Sequence, residues 1–380
     1  MKKIVIIGAN EFQNPLILKA KEMGYETHVF AWKCGAIGEK TADYFYPISI
    51  IEKDAILEEC RRIQPDAITT IGSDLGMITV NYLTTALGLP GNSAHCCLIS
   101  TNKYEMRRAF MKAGVATPRF TDVSCAEEIP EEFTYPLIVK PTDRSGSRAI
   151  TKVMNKEGLP EAICSAIENS FEKKAIVEEY IEGDEYSCEC ISYHGKHHLL
   201  AFTKKYTTGA PHFIETGHMQ PSDIPVMHQE HIRRQVFGAL DALEITEGAS
   251  HTEFKLQNNG EIRIIEIGAR MGGDCIGSHL VKISTGYDFV RMVVDIAAGK
   301  EPDMILVCKP RDAYIHFLFQ KEDVEIYDRL KKEHPEWIYE ASECREEMTH
   351  QVIDSSSRYG YYILALDKME DYWKWLKREK

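Results

Sequence analysis

The strands of this chain change texture partway along it, and that change constrains the fold more than any single motif. Over about the first ninety residues, the strand candidates at 3–7, 26–31 and 67–71 are near-continuous apolar runs. Such runs have no polar face to turn toward water, so they belong to a parallel sheet covered by helices on both sides. The intervening stretches supply those helices: one at 15–23, closed by Gly24, and one at 54–63 with Ile56, Leu57, Cys60 and Ile63 on one stripe. From Ala175 onward the candidates at 175–180, 185–193, 197–203, 251–257 and 261–267 alternate apolar with polar residues. That is the pattern of antiparallel strands with one buried face. Asn258-Asn259-Gly260 joins the last two as a hairpin turn.

Two textures within 380 residues imply separate packing units. An α/β unit over 1–92 ends at the turn Gly88-Leu89-Pro90-Gly91-Asn92. A second unit over 93–175 opens on a helix at 100–112, with Met106, Ala109, Phe110 and Ala113 inward and Gly114 at its end. It continues into the strand Tyr135-Pro136-Leu137-Ile138-Val139-Lys140-Pro141, and a third unit over 176–380 holds most of the alternating strands. An open α/β sheet offers a ligand crevice at the carboxyl ends of its strands. Gly8 sits there, but a dinucleotide fingerprint needs glycines where this chain has Asn10 and Gln13, so Gly8 reads as a tight strand-to-helix turn.

Lys and Arg number 45 against 58 Asp and Glu, a net charge of −13. That balance argues against a nucleic-acid partner held through its phosphates and leaves room for a local basic pocket around one small anion. No apolar run approaches bilayer length, and the apolar start turns at Gly8 before a signal-peptide core forms. The eleven cysteines form no CxxC pair and read as reduced, small apolar residues. The expectation is an unexported, cytoplasmic protein.

Three constellations carry chemistry. Lys140 ends an apolar strand just before Thr142-Asp143-Arg144-Ser145-Gly146-Ser147-Arg148, where its ammonium and the backbone N–H groups of Ser145, Gly146 and Ser147 can cradle a phosphate; an ordinary solvated turn has the same composition. Glu253 and Glu266 lie on the two strands of the hairpin, five residues back from Asn258 and six on from Gly260, so direct opposition requires a small bulge. Their apolar neighbours Ile264, Ile265 and Ile267 argue for burial, and two carboxylates brought together there call for a hard cation such as Mg2+. Arg270 follows four residues after Glu266, ahead of Met271-Gly272-Gly273-Asp274, and suits a transferring phosphoryl group. The run Glu178-Glu179-Tyr180-Ile181-Glu182-Gly183-Asp184-Glu185 offers backbone to an adenine edge and a carboxylate to ribose hydroxyls. The histidines complete no metal motif, and no GxSxG elbow occurs.

The order of these parts resembles the ATP-grasp superfamily over essentially the whole chain: helix lysine Lys103, strand-end Lys140, the Ser-Gly loop, the run from Glu178 to Glu185, then Glu253, Glu266 and Arg270. The stretch 202–218, with Glu266-Ile267-Gly268-Ala269-Arg270-Met271-Gly272-Gly273, is especially similar to the L-amino-acid ligase and carbamoyl-phosphate-synthase-like branch. The resemblance implies a Rossmann-like preATP-grasp domain over 1–92, a small lid subdomain over 93–175, and a large α+β subdomain with a C-terminal extension over 176–380. It implies that Lys103, Lys140 and Lys205 contact ATP phosphates under a closing loop at Ser145, Gly146 and Ser147. Glu178, Tyr180 and Ile181 would line the adenine hinge and Glu185 would take the ribose. Glu253 and Glu266 would hold Mg2+, with Mn2+ as the alternative ion, and Arg270 would act with Lys140 and Lys205 in the chemical step.

The implied reaction is ATP-dependent joining of a small carboxylate, an amino acid above all, to an amine through an acyl phosphate. Its partners are those small molecules, without nucleic acid or membrane, and the resemblance is compatible with a homodimer. The alternatives are a ligase acting on bicarbonate, formate or a carrier-protein thiol, and an ATP-binding sensor or subunit without turnover. Many family members place Asn two residues after the second metal carboxylate, where this chain has Gly268. A water or a different arrangement must stand in for that ligand.

Overall fold

A computed structural model describes residues 1–125, 128–130, 133–144, 146, 148–210, 213–343 and 348–377. Its first sheet is parallel throughout: Lys2–Ile7 lies between Tyr25–Phe30 and Ala67–Thr69, and Tyr44–Tyr46 forms one edge. The unbroken apolar runs follow from burial on both faces. Val5 and Ile7 pack with Ile56, Leu57, Cys60 and Ile63 of the helix Lys53–Ile63, and Ile4 and Ile6 face the opposite way onto Leu16, Ile17 and Ala20. That second face is also covered by Phe289, Met292, Val293 and Ile296 of the helix Phe289–Ala297. The unit expected over 1–92 therefore shares its core with a helix from the far end of the chain.

The second sheet has four antiparallel strands in the order Phe120–Val123, Ala175–Glu179, Leu137–Pro141, Thr151–Val153. The helix Leu159–Asn169 covers it with Leu159, Ala162, Ile163 and Ala166. Strand Ala175–Glu179 thus belongs here, which moves the expected boundary at 175/176 to the end of that strand. Alternation marks an antiparallel strand without saying which sheet it joins, so pairing decides the matter.

The third sheet has eight strands, in the order Ile262–Gly268, Gly248–Leu256, Asp184–Tyr193, Lys196–Thr207, Glu215–Gln220, Asp312–Leu318, Gly360–Leu366, Ile338–Ala341. One face buries Cys188, Cys190, Phe202, Phe254 and Ile264 against Ile232, Val236, Ala239 and Leu240 of the helix Val226–Ala242. The C-terminal extension is integral to this sheet, since three of its strands come from beyond residue 311. Its last helix, Met369–Lys377, buries Tyr372 and Trp375. Among the described residues no helix is long and apolar enough to cross a membrane.

Candidate active site

The hairpin puts Glu253 directly opposite Glu266, and a bulge between Glu253 and Phe254 absorbs the unequal count of residues on its two arms. Phe254, Ile264 and Ile267 point into the core beneath, which leaves the two carboxylates on the open face. They border a cavity together with Lys103, Lys140, Gly146, Glu215, His251, Gly268 and Arg270.

The wall opposite them comes from the small sheet and the helix Lys103–Ala113. Asn102 caps that helix, accepting from the N–H groups of Tyr104 and Glu105, and the Lys103 N–H donates to the Thr142 carbonyl at 2.7 Å. The helix start is thereby tied to the end of the Lys140 strand. Lys103 Nζ reaches across to Glu266 Oε1 at 2.9 Å and donates to the Arg144 carbonyl at 2.6 Å. Lys140 Nζ lies 2.8 Å from Glu178 Oε2, and Arg107 Nε lies 2.8 Å from Glu178 Oε1, with all three side chains buried. Burial draws Lys140 below the ordinary lysine value even though Glu178 pulls the other way. Burial alone would raise Glu178, but Arg107 and Lys140 outweigh it and hold the carboxylate below its usual range. Glu178, expected along the adenine hinge, borders the slot described below and at the same time ion-pairs with the two buried cations. Of the closing loop, Gly146 has a positive φ of 76°, whereas Ser145 and Ser147 lie outside the described residues.

The wall carried by the large sheet is acidic, with one lysine at its centre. Lys205 Nζ pairs with Glu253 and lies 3.2 Å from Glu185 Oε1 and 3.7 Å from Glu215 Oε1. Burial opposes its charge, yet the three carboxylates carry it well above the ordinary lysine value. Glu185 also meets Lys255 at 3.0 Å, and against the effect of burial Lys205 and Lys255 keep it low. Behind Glu253 stands His251, whose Nε2 is 3.3 Å from Glu253 Oε1 and whose Nδ1 bonds the buried Glu189. Burial favours neutral imidazole there, but Glu189 and Glu253 raise His251 to about 9. The other Glu189 oxygen accepts from the Gly272 N–H at 2.9 Å.

Arg270 forms a two-pronged pair with Asp74, Nε to Oδ1 at 2.8 Å and Nη2 to Oδ2 at 3.1 Å. Asp74 opens the helix Asp74–Leu87, which follows strand Ala67–Thr69 at the carboxyl end of the first sheet. A Cβ on Gly268 would sit 3.0 Å from both Arg270 Cζ and Asp74 Oδ1. The place of the absent Asn side chain is therefore filled by this ion pair. A second lobe of the cleft is an apolar slot of Ile138, Ile150, Ile181, Phe213 and Ile265, bordered by Tyr180, Glu178, Glu185, Lys205 and Lys255. The Tyr180 ring lies under Lys152 Nζ at 3.5 Å, and its N–H donates to the Pro136 carbonyl at 3.2 Å.

An apolar slot that opens onto lysines and then onto a carboxylate pair can take a planar base at one end and a polyphosphate at the other. The donor chemistry also fits a hard divalent cation at Glu253 and Glu266. Among the described residues no cluster of three or more protein ligands occurs, so phosphate oxygens and water would have to complete the shell. Sequence reasoning missed Arg107, Glu189, His251, Glu215, Lys255 and Asp74. Arg107 lies four residues after Lys103 on one helix face, and His251 lies two before Glu253 on one strand face, so those two left a readable signal. Glu189 and Asp74 left none, because strand register and the docking of two sheets bring them in.

Residues 133–278 match the model of the ATP-grasp domain. The chain is 28% identical over 283 residues to the alanine–anticapsin ligase of Bacillus subtilis (strain 168), an alignment covering 66% of this chain and 58% of that ligase. It thus spans less than two thirds of that relative's length. Among solved structures it is similar to an L-amino acid ligase from Bacillus licheniformis, with a TM-score of 0.82 at 22% identity, over 100% of this chain and 96% of the other. It is also similar to a phosphoribosylglycinamide synthetase from Anaerococcus prevotii, with a TM-score of 0.77 at 21% identity over 99% and 96%. These likenesses establish a shared fold along the whole chain.

Proposed function

We propose, from the premise that this is an ATP-grasp protein, that it is an ADP-forming carboxylate–amine ligase acting on an amino acid. One observation carries the reading: the opposed Glu253 and Glu266 face Lys103, Lys140 and Lys205 across a cleft that also holds Arg270. The apolar slot takes adenine, with Tyr180 and Ile181 presenting backbone at its edge and Glu185 accepting from ribose hydroxyls. Lys103 and Lys140 exchange their present carboxylate contacts for phosphate oxygens, and Lys205 neutralises charge from the opposite wall. Mg2+ held by Glu253 and Glu266 would draw off charge from the transferring phosphoryl group.

A substrate carboxylate oxygen attacks the γ-phosphorus, and the bond to ADP breaks. The amine nitrogen then attacks the acyl carbon, loses a proton and expels phosphate, leaving an amide. Arg270 turns its planar fork from Asp74 toward the phosphoryl oxygens, where charge grows most in the transition state.

Amino acids supplied in pairs should release ADP and phosphate in step with a new amide, read by mass spectrometry. Hydroxylamine in place of the amine should trap a hydroxamate. AMP and pyrophosphate would refute the reading. Asp74's two-pronged hold on one edge of Arg270 is the feature that favours an ATP-binding subunit without turnover. In that case nucleotide binds and no second substrate stimulates ADP release.

A further inference from the structure

The loop that follows strand Ile262–Gly268 is held from four directions. Arg270 is gripped by Asp74, the Gly72 N–H donates to the Met271 carbonyl at 3.2 Å, and the Gly272 N–H donates to Glu189 Oε2 at 2.9 Å. The fourth anchor comes from the C-terminal extension. Arg358 Nη1 and Nη2 donate to Asp274 Oδ2 and Oδ1 at 2.9 and 2.6 Å. Arg358 is itself buried, its Nε donates to the Ser355 carbonyl at 2.7 Å, and its guanidinium lies 3.6 Å above the Phe317 ring.

The grip has something to hold. Asp274 and Cys275 are consecutive non-glycine residues with positive φ, 51° and 60°. Such a conformation is disfavoured for a residue with a Cβ and persists only where the surroundings impose it. The same C-terminal turn reaches the cleft by a second route. Ser355 Oγ donates to Glu215 Oε2 at 2.7 Å, and Arg358 Nη1 also reaches the Glu215 carbonyl at 3.4 Å. Glu215 borders both lobes of the cleft, and its Oε1 is the oxygen 3.7 Å from Lys205 Nζ. Three residues along the Glu215 strand, the buried His218 places Nε2 3.6 Å from Asp274 Oδ2.

We propose that Arg358, aided by Ser355, is a positioning residue for the Arg270 end of the cleft, holding Asp274 in place there and Glu215 on the border that this end shares with the nucleotide slot. The claim rests on the ligase reading above. By it, the C-terminal extension completes the substrate pocket from outside the segment that matches the ATP-grasp domain.

The experiment compares the parent with Arg358→Gln, Arg358→Lys and Ser355→Ala. Arg358→Gln should raise KM for the amino-acid substrate about tenfold or more and KM for ATP by much less, because Glu215 keeps its place in the sheet through its own strand. Arg358→Lys keeps the charge but loses the fork, so it should recover only part of the loss. Ser355→Ala, which spares the Asp274 contact, should have the smaller effect of the two sites. Hydrogen–deuterium exchange on the same preparations should quicken over 270–278 and 213–220 in Arg358→Gln and stay unchanged over 136–141 and 176–181. Unchanged KM values, equal rises for ATP and amino acid, or faster exchange throughout the chain would each overturn the proposal. The exchange pattern needs no turnover. A parent that releases no ADP with any amino-acid pair would therefore sink the ligase reading, while Arg358 would still be judged by the exchange pattern.

Discussion

The two walls of the cleft are built from opposite electrostatic materials. The wall of the small sheet surrounds one carboxylate, Glu178, with the cations Arg107 and Lys140 and adds Lys103 beside them. The wall of the large sheet surrounds one cation, Lys205, with Glu185, Glu215 and Glu253. In consequence the buried lysines shift in opposite senses, Lys140 downward and Lys205 upward. The lesson concerns division of labour. A surplus of cations attracts phosphates, a surplus of carboxylates attracts a metal ion, and a metal–nucleotide complex satisfies both surpluses at once.

The comparison breaks most severely where a buried carboxylate is lost. Glu178→Leu leaves Arg107 and Lys140 buried without an anion, and should cost about 3–5 kcal/mol of stability, read by urea unfolding. The same change on the acidic wall should be milder, because Lys205 retains two other carboxylates.

The next effect concerns the arginine between the walls. Arg270→Met, made in an Asp74→Asn background so that no buried carboxylate is stranded, should bind ATP nearly as the parent does by calorimetry. Its single-turnover ADP formation should fall about a hundredfold or more. Normal turnover would remove Arg270 from the chemical step.

Gly268→Asn adds the side chain that the resemblance to ATP-grasp proteins leads one to expect at this position. Because a Cβ there already meets Arg270 and Asp74 at 3.0 Å, the added amide has to displace their pair. The added Asn side chain should therefore lower turnover, by about tenfold. A gain in activity would show that metal ligation, and not the ion pair, governs this position.

The smallest effect is one of pH. Glu185 is held below its ordinary value of 4.5. Its contribution is thus complete above that pH and is lost as pH falls through the lower folded-state value. Glu185→Gln should be about 1 kcal/mol less stable than the parent at neutral pH. The difference in melting temperature should close progressively below pH 4.5 and should not change between pH 6 and 8.

What the sequence reveals divides along the line between local and distant effects. The parallel first sheet is legible because an apolar run with no polar face admits few other homes. The Glu253 and Glu266 pair is legible because the Asn258-Asn259-Gly260 turn sets their register to within one residue, and the bulge supplies that residue. Arg107, Lys140 and Glu178 come from three elements, and nothing in their spacing announces a buried triad. A run of glutamates beside a glycine turn therefore reads as an adenine edge without showing that one of them, Glu178, is also an internal counter-ion. Strand Ala175–Glu179 alternates like its neighbours, so its texture could not say which sheet it joins. Gly268 reads as a missing ligand until Asp74, nearly two hundred residues earlier, is seen to occupy the space.

The helix Phe289–Ala297 lies on the first sheet, against strands made near the very beginning of the chain. On a ribosome that order has a cost in time. Ile4, Ile6, Leu16 and Ile17 emerge first, yet the helix that finishes their cover is synthesised more than 270 residues later, a delay of about 15–55 s at ordinary elongation rates. Through that interval the nascent first sheet presents one incompletely covered oily face. A chain shortened before residue 289 should therefore keep that face open, read as binding of an apolar dye that the full chain does not take up.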